Sequence, residues 1–283
     1  MALCDTHLIH TSEEPLIMGV INTTPDSFSD GGLYFSINDA IGHARKLIEE
    51  GADILDIGGE STRPGSSPVS IDEELRRVMP VIEAFADEDI LVSVDTSKPE
   101  VMRRAILAGV DIVNDVNALR APGALEAVAA NDRVLLCLMH MQGSPANMQI
   151  NPQYLNIVQE VYDFLRERIQ AAVAMGISPH RLIIDPGFGF GKSLQHNLEL
   201  LANLKEFTQL KVPILAGLSR KSMLGEITGN TVGQRIHESV AAAQIAVVNG
   251  AKIVRVHDIK GTKDALAVLA AVRKVRVNER SFN

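Results

Sequence analysis

Ser219-Arg-Lys-Ser222 and Arg255-Val-His257 bring Arg220, Lys221, Arg255 and His257 into two short motifs of a chain whose formal net charge is −8. A compact basic cluster in an acidic protein suits a focused site for an anion such as phosphate. A surface cluster of salt bridges is the other reading. A second set of polar residues closes a series of apolar runs: Asn22, Asp56, Asp95, Asn114 with Asp115, His140 and Asp185. Each is costly to bury, so each alone reads equally as a satisfied structural group. Together, at the same end of successive runs, they read as one polar constellation.

The loops beside them are Asn22-Thr-Thr-Pro-Asp-Ser-Phe-Ser-Asp-Gly-Gly32 and Gly58-Gly-Glu-Ser-Thr-Arg-Pro-Gly65. Glycine, proline and hydroxyl groups there permit tight turns and mobile lids, or an ordinary surface loop. Arg63 offers a carboxylate-matching fork and Phe28 a stacking face. Other motifs fail when counted. Gly187-Phe-Gly-Phe-Gly-Lys-Ser193 resembles a Walker loop, but Pro186 stands where its first glycine belongs, and Lys192 replaces the third glycine of a dinucleotide fingerprint. The sequence holds no His-Glu-x-x-His and no nucleophile elbow.

The elements that must position these groups follow from a local repeat. Gly51-Ala-Asp-Ile-Leu-Asp-Ile57, Gly109-Val-Asp-Ile-Val-Asn-Asp115 and Gly250-Ala-Lys-Ile-Val-Arg-Val256 each close a helix-like stretch with glycine and open a β-branched run. Such runs predict strands at Leu16–Asn22, Asp53–Gly58, Ile90–Thr96, Ile112–Val116, Val134–His140, Arg181–Pro186, Pro213–Ser219 and Lys252–Asp258. Helical periodicity fills most gaps. Ser70-Ile-Asp-Glu73 reads as a capping box opening a helix with Leu75, Val78, Met79 and Ile82 on one face, and a short alanine-rich helix follows Pro122. Eight β/α units in 283 residues fit a single (β/α)8 TIM barrel, an α/β fold with its active site at the C-terminal ends of the strands. One domain over 1–283 is expected, with 1–14 as a lead-in. Loops after the seventh and eighth barrel strands often bind phosphate, where the two basic motifs fall.

Composition narrows the class. Hydrophobic residues at 46% and charged residues at 22% support a large core and exclude a disordered chain. The acidic balance argues against nucleic acid and anionic membranes as partners. Two cysteines, Cys4 and Cys137, fit a reducing compartment, and Met1–Asp5 lacks a signal-peptide pattern, so a cytoplasmic protein is expected.

The motifs quoted above, with Ser93-Val-Asp-Thr-Ser-Lys98 and Asp185-Pro-Gly-Phe-Gly-Phe-Gly-Lys192, resemble the dihydropteroate synthase family in order from about Met18 to His257. The resemblance implies a transferase of folate biosynthesis. It would condense 4-aminobenzoate with the diphosphate ester of 6-hydroxymethyl-7,8-dihydropterin, giving 7,8-dihydropteroate and diphosphate by an SN1-like course. It implies that Asp95, Asn114, Asp185 and Lys221 read the pterin, between walls of Val116, Met139, Phe190 and Gly217. Carboxylates and an amide suit the fixed donor and acceptor row of a pterin edge. Asn22, Thr62, Arg255 and His257 would hold the diphosphate, with Asn22 also a ligand of Mg²⁺. Arg63, Pro64, Ser219, Arg220 and the loop residues Thr24, Pro25, Phe28 and Asp30 would form the aminobenzoate site, which sulfonamides contest. A homodimer is implied as well. Arg255 is expected to serve the anion and to stand apart from the ring-reading carboxylates.

Three alternatives remain. A methyltetrahydrofolate-dependent methyltransferase domain would not need the basic cluster. A barrel for another diphosphate would not need Asp95, Asn114 and Asp185 together. A non-catalytic pterin-binding paralogue should lack some loop or anion residues, and this sequence keeps them all.

Overall fold

The computed structural model describes residues 8–23, 37–63 and 65–280. Strands β1 (Leu16–Asn22), β2 (Ile54–Gly58), β3 (Leu91–Asp95), β4 (Ile112–Asp115), β5 (Leu135–Met139), β6 (Leu182–Asp185), β7 (Leu215–Ala216) and β8 (Ile253–Val256) fall within the eight predicted runs. All pair in parallel, in the order β6-β5-β4-β3-β2-β1-β8-β7. A single bridge, Ile184 to Ile214, joins the two ends of that order, with Ile184 N donating to Pro213 O at 3.0 Å. The sheet therefore curls into a barrel whose seam lies between β6 and β7. Helix α1 (Leu8–Thr11) precedes β1, and the outer layer is α2 (Ile37–Glu50), α3 (Ile71–Phe85), α4 (Pro99–Leu107), α5 (Ala124–Ala129), α6 (Ile157–Ala174), α7 (Leu194–Ala202), α8 (Ser222–Thr228), α9 (Ile236–Val248) and α10 (Ile259–Arg280).

The local repeat has a mechanical reason. Gly51, Gly109 and Gly250 adopt φ of +99°, +98° and +106°, a left-handed turn that glycine takes without a side-chain clash. Two residues on, Asp53 and Asp111 each make a two-way bond with the neighbouring strand. Asp53 N donates to Ile17 O at 2.9 Å while its carboxylate accepts from Ile17 N at 2.8 Å. Asp111 does the same to Val92, at 2.8 Å in both directions. A helix exit and a strand register are fixed in one stroke. At α3 only half the capping box forms: Ser70 Oγ accepts from Glu73 N at 3.2 Å, but the Glu73 carboxylate turns away to Arg76 and Arg77 at 2.7–2.8 Å. Two guanidinium partners outbid one backbone N–H.

Because side chains alternate along a strand, each strand divides its residues between lumen and outer layer. Leu55, Ile57, Val92, Val94, Val113, Leu136, Leu138, Ile184 and Val254 face the helices in one continuous core. Leu16, Met18, Ile54, Leu91, Ile112, Leu135, Cys137, Ile183, Leu215 and Ile253 fill the lower lumen, with Ile9 of α1 packed into the same cluster. Continuing that parity upward brings Asn22, Asp56, Asp95, Asn114, Met139, Asp185 and Arg255 to the mouth. An apolar plug thus supports a polar top.

The chain leaves β6 through Gly187, whose φ of +71° sits where an added Cβ would lie 1.9 Å from His140 O. Gly187→Ala should therefore force strands β5 and β6 apart and cost about 2–4 kcal/mol. Urea unfolding of the variant measures this; a midpoint equal to the parent's would show that the close approach carries no constraint.

Candidate active site

One guanidinium organises the mouth. Arg255 of β8 donates from Nε to Asp56 Oδ2 at 2.6 Å and from Nη2 to Asp95 Oδ2 at 2.9 Å. Asp56, fully buried on β2, also accepts from Ser93 Oγ at 2.6 Å and from Asn114 Nδ2 at 3.1 Å. Burial pushes Asp95 up, its neighbour Asp56 adds to the rise, and Arg255 opposes both. Arg255 itself loses by burial but is held above its usual range by Asp56 and Asp95. The expectation that Arg255 stands apart from the carboxylates is therefore corrected. β8 lies two strands from β2 across β1, and the long fork spans the lumen to both acids.

Across the mouth, Asp185 Oδ1 accepts from Gly187 N at 2.7 Å, and burial raises its carboxyl. A Cβ on Gly217 would stand 4.0 Å from Asp185 Oδ2 and 3.9 Å from Arg255 Cβ, so glycine keeps the floor between them open. Lys221 Nζ donates to Phe188 O at 2.6 Å and sits 4.1 Å above the Phe190 ring. Burial lowers it to about 8 against the pull of Asp185. Val116, Met139, Met141 and Met148 form a small apolar cluster with Phe190 against it. The sequence-predicted walls Val116, Met139 and Phe190 are thus brought together, with Met141 and Met148 added.

His257 Nδ1 lies 3.0 Å from Ser219 Oγ, which also accepts from His257 N at 3.2 Å. Burial first, then Arg255, Arg220 and Arg63, hold His257 down to about 3, so the imidazole is neutral at pH 7. Asn22 ends β1 half-buried, opposite Gly58; Thr23 N and Oγ1 both donate to Gly58 O, at 2.8 and 2.9 Å. Thr62 is half-buried and Arg63 exposed on the loop after β2.

Three sequence-predicted groups point elsewhere: His140, whose Nδ1 meets Lys192 Nζ at 2.9 Å and whose ring stands edge-on to Phe164, Asp115 and Arg220. Asp115 has outward parity, and its carboxylate accepts from Asn117 N and Leu119 N at 2.7 Å each. Those bonds brace Ala118 and Leu119, both at positive φ, so it is a loop anchor and not a partner of Asn114 at the rim. Arg220, itself at φ +58°, places its guanidinium on Asp258 at 2.6 and 3.1 Å, while Ser239 Oγ accepts from its backbone N at 2.9 Å. Its turn sets Ser219 against His257 and Lys221 against Phe188 O and the Phe190 ring. Thr24, Pro25, Phe28, Asp30 and Pro64 lie outside the described residues. Conversely, Asp56 was marked by its place at a strand end, but nothing in its type revealed that it receives Arg255 and Asn114 together.

The chain matches the pterin binding enzyme model over residues 18–257. The dihydropteroate synthase of Haemophilus influenzae is 54% identical over 91% of this chain and 94% of its own. A Yersinia pestis dihydropteroate synthase, solved in complex with a sulfonamide drug, superposes with a TM-score of 0.89 at 48% identity, covering 92% of this chain and 95% of its own. That of Xanthomonas albilineans, solved with 4-aminobenzoic acid, gives 0.87 at 53% identity, covering 92% and 94%. The chain belongs to the dihydropteroate synthase family. Its activity is that of a transferase in folate synthesis. Among the described residues, no helix is long and apolar enough to cross a membrane. No described cluster of three or more acidic, histidine or cysteine side chains could cage a metal ion.

Removing Arg255 should expose the charge balance of the mouth. Arg255→Ala leaves Asp56 and Asp95 facing each other unpaired, at a cost of about 3–5 kcal/mol. Asp95, already raised in the fold, rises further without its cation. A raised carboxyl binds its proton more tightly folded than unfolded, so stability falls as pH climbs from about 4 through the folded value. The deficit should be largest at pH 8 and shrink toward pH 5, as urea unfolding at the two pH values would record. A deficit independent of pH contradicts the arrangement.

Proposed function

We propose that Asp95, Asn114, Asp185 and Lys221 hold the dihydropterin between Val116, Met139 and Phe190, with Gly217 leaving room for its ring. Arg255, His257, Asn22 and Thr62 hold the diphosphate. Breaking the methylene C–O bond sends the electron pair out with diphosphate and leaves a cation on the pterin methylene, stabilised by the ring. The lone pair of the 4-aminobenzoate nitrogen then forms the new C–N bond, and the nitrogen releases its proton to solvent or to the departing anion. The arylamine is nucleophilic as it stands, so no strong base is required. Ser219 and Arg63 hold the aminobenzoate; Thr24, Pro25, Phe28, Asp30, Pro64 and Arg220 are assigned beside them by resemblance alone.

The observation that carries this reading is the single lumen in which a carboxylate–amide set, an apolar wall and the Arg255–His257 pair converge. Arg255 then bears on both halves of the substrate, on the diphosphate directly and on the ring through Asp95, the carboxylate it grips. For the metal, the amide oxygen of Asn22, a hard donor at the end of β1, would hold Mg²⁺ arriving with the diphosphate. When bound, Mg²⁺ would offset the charge that develops on the leaving group. A cytoplasmic location fits the buried, unpaired Cys137. A homodimer is supported by exposed Ile245 and Val248 on α9 beside Val268, Val272 and Val275 on α10. Incubation with pterin diphosphate, 4-aminobenzoate and Mg²⁺ should yield dihydropteroate and diphosphate in equal amounts. Pterin binding without turnover would favour the non-catalytic alternative.

The depressed His257 makes a further expectation. A diphosphate anion beside it cancels the field of Arg255 and Arg63, so its basicity must rise on binding. Below neutral pH the complex should take up a proton that the free protein lacks, and affinity should strengthen as pH falls toward the raised value, with burial still holding His257 below the ordinary imidazole range. Calorimetry in buffers of different ionisation enthalpy reads the uptake. His257→Gln should abolish it; an equal uptake in the variant would assign the proton to another group.

A further inference from the structure

Among the charged residues of the sequence motifs that take no part in the chemistry above are Glu60 of Gly58–Gly65 and Lys98 of Ser93–Lys98. They meet at the rim. Lys98 Nζ donates to Glu60 Oε2 at 2.6 Å and also to Glu74 Oε2. Glu74 belongs to α3 and is 1% exposed, so its carboxylate depends on that ammonium for compensation. Burial works against the Lys98 charge, but the two carboxylates hold it above the usual lysine range. Lys98 itself is fixed, since it caps α4 directly before Pro99 and its N donates to Thr96 Oγ1 at 3.2 Å.

The second function of Glu60 is in the loop. The same Oε2 accepts from Val69 N at 2.8 Å, so one side chain ties the loop's beginning to its end. Arg77 Nη1, donating to Gly59 O at 2.9 Å, secures the entry. Between these ties the chain makes a short excursion that carries Thr62 and Arg63, folded on itself by Ser66 N to Arg63 O at 3.1 Å and Ser66 Oγ to Ser61 O at 2.5 Å. The charge of Arg63 reaches His257. The two carboxylates on Lys98 therefore differ in kind. Glu74 is locked in the core by burial, whereas the Glu60 side chain, among the described residues, reaches the core through Lys98.

We propose that Glu60 is a positioning residue: held by Lys98 and closed onto Val69, it fixes the base of the loop after β2 so that Thr62 and Arg63 face the barrel mouth. The proposal rests on the reading that Thr62 and Arg63 serve the diphosphate and aminobenzoate. It assigns Glu60 to affinity for the second substrate and not to recognition of the pterin ring, whose contacts lie deeper in the lumen. The Lys98–Glu74 pair survives loss of Glu60, so a variant at this position keeps its buried charge compensated.

The test compares the full-length parent with Glu60→Ala and Glu60→Gln, the latter keeping an oxygen that can still accept from Val69 and Lys98. Glu60→Ala should raise KM for 4-aminobenzoate about tenfold while kcat at saturation stays within about threefold. Glu60→Gln should recover part of the loss. Calorimetry with a free pterin should give parental affinity, and amide exchange at Val69 should quicken in Glu60→Ala. An unchanged arylamine KM, an equal loss of pterin affinity, or unchanged exchange at Val69 would each overturn the assignment, given a parent that turns over. A parent that makes no dihydropteroate from both substrates and Mg²⁺ overturns the functional reading beneath it.

Discussion

The mouth of this barrel is built around a charge that cannot be removed without consequence. Asp56 lies where water does not reach, and an isolated carboxylate there would cost several kcal/mol. Arg255, Ser93 and Asn114 supply three donors to its two oxygens, so both oxygens are bonded. The remaining arm of Arg255 goes to Asp95. One guanidinium thus stands between two carboxyl groups, and the more exposed of the two, Asp95, is the one a ligand can contest. Recognition at this site is an exchange of partners, with the free protein already holding its polar groups in bonded positions.

Such an array needs a rigid support, and the lower lumen provides it. The apolar plug from Leu16 to Ile253 fills the barrel beneath the ionic layer, and the helices bury the opposite face of every strand. Close packing on both sides leaves little freedom for the strands to slide. The reciprocal bonds of Asp53 and Asp111 then fix register where strands begin, which sets the height at which Asp56 and Asp95 emerge. A shift of one residue would turn every one of these acids outward. Fold and site are therefore one constraint, read from the bottom of the barrel to the top.

Much of this was legible in the sequence because strand parity is a local property. Apolar runs ending in Asn22, Asp95, Asn114, Asp185 and Arg255 marked both the strands and the face they share, and the glycine repeat marked where helices hand over to strands. What escaped was pairing across distance. Whether Arg255 lies with the anion groups or with the acids depends on a fork reaching over β1, which no spacing along the chain encodes. Asp115 looked like a companion of Asn114, yet neighbours on a strand face opposite sides, and its bonds brace the loop behind it. Glu73 was read as a capping-box partner when its carboxylate goes to Arg76 and Arg77, and Glu60 went unread, for the same reason: a carboxylate's partner is chosen by three-dimensional proximity among several cations.

The shared role of Arg255 is the centre of this account, and Arg255→Lys isolates it. Lysine keeps the positive charge but lacks the planar fork that bridges Asp56 and Asp95. Calorimetric titration of the variant with a free pterin, carrying no phosphate, and separately with inorganic diphosphate reads the two halves of the site. Affinity for both ligands should fall, the pterin by about tenfold or more. Undiminished pterin affinity beside weakened diphosphate binding would show that Arg255 serves the anion alone, and would contradict the account.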